Sequence, residues 1–406
     1  MLATRFIYFA PADIQVARVD RQCIVSFCSA LESVGVDVTL VAIGIATVES
    51  EPRASDPLDL YRIGKRFETW IPRVPVSQTS RPRWLALNRL LVHGLAGLRA
   101  VLTTRHERRL MLYTKTYSTA ALLVALKRLS RAPTVVAFEA HVLPRNAFHR
   151  LVLRKVGRVV ANTDALRRDL LAAGLGEHEV LATHQGVDLE LIEELRVTKA
   201  EARRRLGLPA GERLVVYTGK VVDGDEEIAH LLEAARLLEA RDGVHLLIVG
   251  GRADHVERLR RRSRRHNVTF VGFVAPRDVA LYQWSADALV LYYPAAHPLN
   301  RYRSPGKLFE YMAAGRPIVG VDLPVLREVL GDPPAARLVA ADSPHRLATA
   351  LVEALTEESE SEALAATASR RVGGFTWTSR AHSVLRFLGD DEVVSRARGD
   401  ARRPSS

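Results

Sequence analysis

At 406 residues, 48% hydrophobic and 26% charged, the chain can bury substantial cores and is too long for one ordinary domain; its length points to about two or three. A formal net charge of +12 suits an anionic partner, but only seven of the 58 basic residues are lysines, so the arginine bias reads as genome composition as much as binding. Two cysteines exclude a disulfide scaffold, no run approaches the roughly 18 to 20 continuous apolar residues of a membrane span, and no aromatic-interleaved basic motif speaks for nucleic acid.

The opening apolar run reads as a first strand rather than a secretory signal, so a cytoplasmic chain is expected. Short apolar runs then alternate with amphipathic stretches, which is the pattern of parallel α/β sheets. The first half offers strands at 6–9, 36–41, 111–113, 134–138, 159–161 and 180–182. Cys23 and Cys28 fall in a helical pattern five residues apart, badly placed to bridge, and read as buried free thiols. Residues 81–109 combine Trp84, Leu87, Leu91, Leu95 and Leu102 with arginines. They read as a packed helix pair or as a basic amphipathic surface for anionic lipid, hence a peripheral membrane contact. The second half offers strands at 214–218, 245–249, 269–271, 288–291, 318–321 and 337–339.

The predicted organisation is therefore a first domain over 1–190 and a second over 200–380. A helix over 380–388 crosses back to the first domain, and a polar tail over 389–406 is disordered.

The most informative run is 304–319, Ser-Pro-Gly-Lys-Leu-Phe-Glu-Tyr-Met-Ala-Ala-Gly-Arg-Pro-Ile-Val. Ser304 suits an N-cap, Pro305 the first helical position, and Gly306 close approach of a ligand to the backbone. Free N–H groups and the positive dipole end favour an anion there, and Lys307 adds a full charge in the same turn. Glu310 shares that face and suits a sugar hydroxyl, while Leu308, Phe309 and Met312 point into a core. The remaining polar residues form no His/Asp set at metal-ligand spacing, so metal independence is expected.

This run resembles the SPxKLFEYMAxGxPIV signature of glycosyltransferase family 4 and its family 1-like relatives. The resemblance implies the GT-B fold: two Rossmann-like domains with parallel sheets facing across a cleft, an acceptor domain first and a nucleotide-sugar donor domain second. It implies transfer of a sugar from a UDP- or GDP-type donor to a sugar or lipid-linked acceptor hydroxyl, with retention at the anomeric carbon and no separate cofactor. Cell-surface polysaccharide, glycolipid or glycoconjugate synthesis, at the inner membrane face where the contact is peripheral, is the implied setting.

Further positions follow from the same resemblance. Gly219 and Lys220 stand where the family has a Y-x-G-[RK] turn whose cation binds the donor diphosphate. Family members carry another lysine several residues later, whereas here Asp223, Asp225, Glu226 and Glu227 follow. Phe273 lies at the F-x-G-x-v strand end that contacts the base. Of the paired glutamates E-x7-E only Glu310 is present, to hold the ribose; Tyr302 replaces the first, flanked by Arg301 and Arg303. His141, in Glu139-Ala140-His141, matches the f-E-x-H element whose histidine faces the donor sugar, and Lys115 is a weaker candidate. Catalytic expectations thus fall on His141, Lys220, Lys307 and Glu310, and donor-binding expectations on Gly219, Phe273, Tyr302, Ser304 and Gly306. Two other readings stay open: a nucleotide-sugar 2-epimerase on the same fold, and a non-catalytic subunit or binding module, which the missing glutamate and the acidic loop motivate.

Overall fold

In the computed structural model the described residues are 3–11, 13–15, 19–47, 57–61, 63–77, 82–239, 243–263, 266–294 and 297–390. Two compact units emerge, Met1–Asp188 with Trp377–Ser406, and Leu189–Thr376.

The first unit is built on a seven-stranded sheet in the order Glu68–Trp70, Asp37–Val41, Ala3–Phe9, Arg108–Thr114, Thr134–Ala140, Val159–Ala161, Val180–Ala182. All pairings in it are parallel. Strands buried on both faces read as near-continuous apolar runs, and Phe6, Leu40, Met111 and Val160 are accordingly inaccessible. The edge strand Glu68–Trp70 and the small parallel pair Gly44–Thr47 with Arg73–Ser77 carry no such run and were not expected. Helix Val19–Ser33 covers one face; of its two free cysteines Cys28 is buried as expected, whereas Cys23 is only half-buried. The chain returns to this unit as helix Trp377–Phe387, which packs on Val19–Ser33. At the return point the Trp377 N–H donates to the Val187 carbonyl at 3.2 Å. Gly389 and Asp390, expected in a disordered tail, are placed: the Asp390 N–H closes the helix end on the Leu385 carbonyl, and its carboxylate accepts from Thr4. The rest of the expected tail, from 391, lies outside the described residues, as do Arg81, Arg264 and Arg265.

Residues 82–103 form one helix, not a pair. The stretch Arg83–Thr103 is long and apolar enough to cross a membrane by length and composition, which the sequence reading had ruled out by counting only uninterrupted apolar runs. Yet its inner face is packed: Val92, His93, Ala96 and Ala100 are buried, and His93 Nδ1 lies 2.9 Å from Thr119 Oγ1. Its outer face leaves Trp84, Leu87, Leu91, Leu95 and Leu102 exposed.

The second unit carries a six-stranded parallel sheet in the order Val268–Gly272, Val244–Val249, Arg213–Thr218, Ala288–Leu291, Ile318–Val321, Arg337–Val339. Here the chain starts in the middle, steps outward twice and then returns to pair on the other side of its first strand. The order therefore reverses between Arg213–Thr218 and Ala288–Leu291, the place where open α/β sheets form a crevice beyond their carboxyl ends.

Candidate functional site

Both strands that flank that reversal end in candidate residues or their neighbours. Gly219 and Lys220 follow the first strand, and Tyr292 and Tyr293 follow its neighbour Ala288–Leu291. Gly219 is held in place by another glycine. A Cβ on Gly250, whose φ is +121°, would stand 1.9 Å from the Gly219 carbonyl oxygen. Gly219 itself has no room for a side chain, because a Cβ there would come 2.8 Å from Tyr217 Oη and 3.1 Å from Lys307 Nζ. The lysine of the helix and the glycine of the strand end are thus in contact.

Helix Gly306–Ala314 buries Leu308, Phe309, Tyr311 and Met312. It starts one residue later than the N-cap reading of Ser304 requires. Pro305 occupies the cap position in extended conformation, its carbonyl accepting the Leu308 N–H at 3.0 Å. Pro305 is itself extended rather than helical, so Ser304 stands one position upstream of the cap. Gly306 and Lys307 are then the first helical residues, where N–H groups point outward.

The Lys307 ammonium donates to Glu227 Oε1 at 3.0 Å and lies 4.2 Å from the Tyr217 ring centroid and 5.0 Å from that of Tyr293. Burial pushes its pKa below the ordinary lysine range, the Glu227 carboxylate opposes that, and the Arg303 charge adds to it. Arg303 lies 4.1 Å from the Tyr293 ring centroid. Lys220, by contrast, is exposed, and its carbonyl oxygen lies 3.2 Å from the Tyr217 hydroxyl.

One turn along, Glu310 Oε2 accepts from Gln283 Nε2 at 3.1 Å, and burial raises its pKa against the opposing Gln283 bond and Lys307 charge. Tyr311 bonds the backbone and side chain of Thr218 and so ties the helix to the strand end. Tyr302 is buried, whereas Phe273, just beyond Gly272, stays 48% exposed.

The acidic loop that replaces the family's second lysine is committed to the fold. Asp223 binds Arg258 and Arg262, Asp225 caps helix Glu226–Leu238 by accepting from the Glu227 N–H, and Glu227 takes Lys307. Glu226 points elsewhere and, with His230 and Asp342, places one potential metal-ligand atom within 4.8 Å of the others. The sequence reading saw no such set because Asp342 arrives from more than a hundred residues away.

In the first unit, His141 Nε2 lies 3.1 Å from Glu139 Oε1, and its Nδ1 lies 3.4 Å from Asn162 Nδ2. Glu139 is buried and also receives Arg380 at 3.2 Å and the Tyr8 hydroxyl at 3.0 Å. Burial would raise the Glu139 pKa, but the hydrogen bond from His141 and the Arg380 charge outweigh it and hold the carboxyl far below its ordinary range. Arg380, Gln283 and Glu227 are partners of candidate residues that no motif marks, since each reaches its partner only through the fold.

Residues 212–357 match the family Glycosyl transferases group 1. Among curated proteins, a phosphatidyl-myo-inositol mannosyltransferase of Mycolicibacterium smegmatis is 30% identical over 243 residues, 60% of this chain and 58% of the relative. A D-inositol 3-phosphate glycosyltransferase of Kineococcus radiotolerans is 26% identical over 255 residues, 58% of this chain and 57% of the relative. The matches to both relatives thus span under two thirds of their length. Among solved structures, Anabaena HepE in complex with UDP shares the fold with a TM-score of 0.66 at 15% identity, covering 98% of this chain and 100% of that one. The second unit thus resembles the group 1, family 4-like glycosyl transferases over residues 212–357, and the two parallel-sheet Rossmann-like units have the GT-B fold.

Proposed function

We propose that the protein transfers a sugar from a nucleoside-diphosphate donor of UDP or GDP type to the hydroxyl of a sugar or lipid-linked acceptor. The observation that carries this reading is the placement of Lys307, in the first turn of helix Gly306–Ala314, against Gly219 at the sheet's order reversal. In the reaction the bond from the anomeric carbon to the diphosphate oxygen breaks, a bond from that carbon to the acceptor oxygen forms, and the acceptor proton passes to the leaving phosphate. Charge grows on the diphosphate in the transition state, so cations and backbone N–H groups already in place there are what lower the barrier. Lys307, Lys220 and the N–H groups of Gly306 and Lys307 supply them without a metal ion. Glu310 holds the ribose, Phe273 lies at the base, Tyr302 and Ser304 border the phosphates, and His141 serves the donor sugar. Retention of configuration follows the family 4 resemblance.

Support for the donor comes from the UDP complex of HepE, and for an inositol or lipid-linked acceptor from the names of the curated relatives. The apolar stripe of helix Pro82–Thr103, bordered by exposed Arg83 and Arg99, suits peripheral contact with the anionic inner face of a membrane. Ligand-induced thermal stabilisation tests the core of the proposal. UDP, GDP, ADP and dTDP are compared with and without EDTA, since a ligand of the folded state raises the melting temperature by mass action. One diphosphate that stabilises in EDTA is expected; no shift across the panel would overturn the proposal.

A further inference from the structure

A lysine that must present its charge to a phosphate has a difficulty when it is buried, because burial disfavours the charged form. Lys307 has this difficulty: only 15% of its side chain is exposed. The charged and titratable groups around it come from every element that packs on it. Glu227 faces it from helix Glu226–Leu238, Tyr217 from the central strand, Tyr293 from the segment after Ala288–Leu291, Arg303 from the preceding turn, and Glu310 from its own helix. Of these, Arg303 opposes the charge, Glu310 is one turn away, and the two rings offer only their faces.

Glu227 is fixed by more than the lysine. Its Oε1 accepts from both the Tyr217 hydroxyl at 2.8 Å and Lys307 Nζ at 3.0 Å. The Tyr217 phenol keeps its proton, since burial and the adjacent carboxylate hold it well above its ordinary range. Because Gly219 lacks a side chain, the same Tyr217 hydroxyl and the same ammonium can crowd against its Cα. The carboxylate thus has a rigid anchor on one side and the ammonium on the other, and the ring faces flanking the ammonium are weak competitors for a phosphate oxygen.

We infer that Glu227 is a positioning residue for the donor site: it keeps Lys307 an ammonium and holds it against Gly219, so that the cation is in place before any diphosphate arrives. This explains why an acidic residue is compatible with a phosphate site. The loop has lost a lysine, and one of the carboxylates that replaced it secures the lysine of the neighbouring helix. A role in donor binding rests on the glycosyl transfer proposed above, whereas the titration of Lys307 does not.

The test is a lysine side-chain NMR titration of the full chain labelled at Cε and Nζ, in which only seven lysines must be resolved and Lys307→Arg assigns the signal. It is run on the wild type, Glu227→Gln and Glu227→Asp, with thermal melting to show that each folds and calorimetric titration of UDP and GDP at two pH values. In Glu227→Gln the Lys307 midpoint is expected to fall by about one pH unit or more, since the amide keeps the shape but not the charge. Diphosphate binding should then weaken more at about pH 8.5 than at about pH 6.5, with Glu227→Asp restoring most of the loss. An unchanged midpoint in Glu227→Gln would overturn the role of Glu227, as would an affinity loss equal at both pH values. Should Glu227→Gln fail to fold, Tyr217→Phe removes only the hydroxyl that anchors Oε1 and is expected to lower the midpoint in the same direction; no change there would overturn it equally. A wild type that binds neither diphosphate would sink the glycosyl-transfer reading while the lysine titration still decides this one.

Discussion

The Gly219 carbonyl oxygen lies where a Cβ on Gly250 would have to be, 1.9 Å from its ideal position. Two adjacent strand ends therefore touch through bare backbone, and the distance between them sets where Gly219 meets Lys307.

Gly250→Ala should push that carbonyl away and also strain a φ of +121° that side chains rarely adopt. A loss of about 2 to 4 kcal/mol in folding stability is expected, alongside loss of diphosphate binding. Urea unfolding and calorimetry measure the two; a variant that binds like the wild type would show that the strand ends have slack.

On the proposed function, Lys307→Ala removes the charge that meets the leaving diphosphate. A drop in kcat/KM worth about 2 to 4 kcal/mol of transition-state stabilisation is expected from steady-state kinetics. Near-normal turnover would remove the central claim about the site.

Glu310 couples function to stability in the opposite sense. Its pKa is raised in the fold, so its contribution is fully present below the ordinary glutamate value of about 4.3 and is lost as pH rises through the folded value. At neutral pH its ionisation costs stability. Glu310→Gln, which can still accept from Gln283, should melt no lower than the wild type at about pH 7.5 while kcat/KM falls by about 1 to 3 kcal/mol. A clearly lower melting temperature would contradict this.

Glu139 behaves the other way. Its pKa is depressed, so its contribution is present above about 4.3 and lost as pH falls through the folded value. Both partners of the Glu139–Arg380 pair are almost fully buried, and Arg380→Met leaves a buried carboxylate short of a cation. A cost of about 3 to 5 kcal/mol is expected near neutral pH, shrinking as the solution is acidified. Urea denaturation at about pH 7.5 and pH 4 checks the narrowing; a difference that stays constant would refute it.

The outer face of helix Pro82–Thr103 can be tested without disturbing its core, because Leu91 and Leu95 are more than half exposed. The double change to glutamate should leave the melting temperature nearly unaltered and abolish cosedimentation with anionic vesicles. Equal binding of wild type and variant would remove the membrane surface from the proposed function.

All twelve strands expected from apolar runs are present, because strands buried on both faces must be apolar nearly throughout, as in Leu289, Val290 and Leu291. The short edge strand Glu68–Trp70 escaped that rule, being half in contact with solvent. At the site, Gly219, Lys307 and Glu310 were legible since a helix start and a strand end leave local marks. Their partners were not. Glu227 lies 80 residues from Lys307, Gln283 lies 27 from Glu310, and Arg380 lies 241 from Glu139, and no local pattern encodes a meeting at that range.

The chain leaves the first unit after Asp188 and re-enters it at Trp377, whose N–H is bonded to Val187. The Leu189–Thr376 unit is in that sense a cassette with its two seams side by side. Exchanging it for the cassette of another enzyme would take two cuts at one spot. A truncation after Thr376, by contrast, would look like trimming a tail behind the second unit and would in fact strip Arg380 from Glu139, crippling the first.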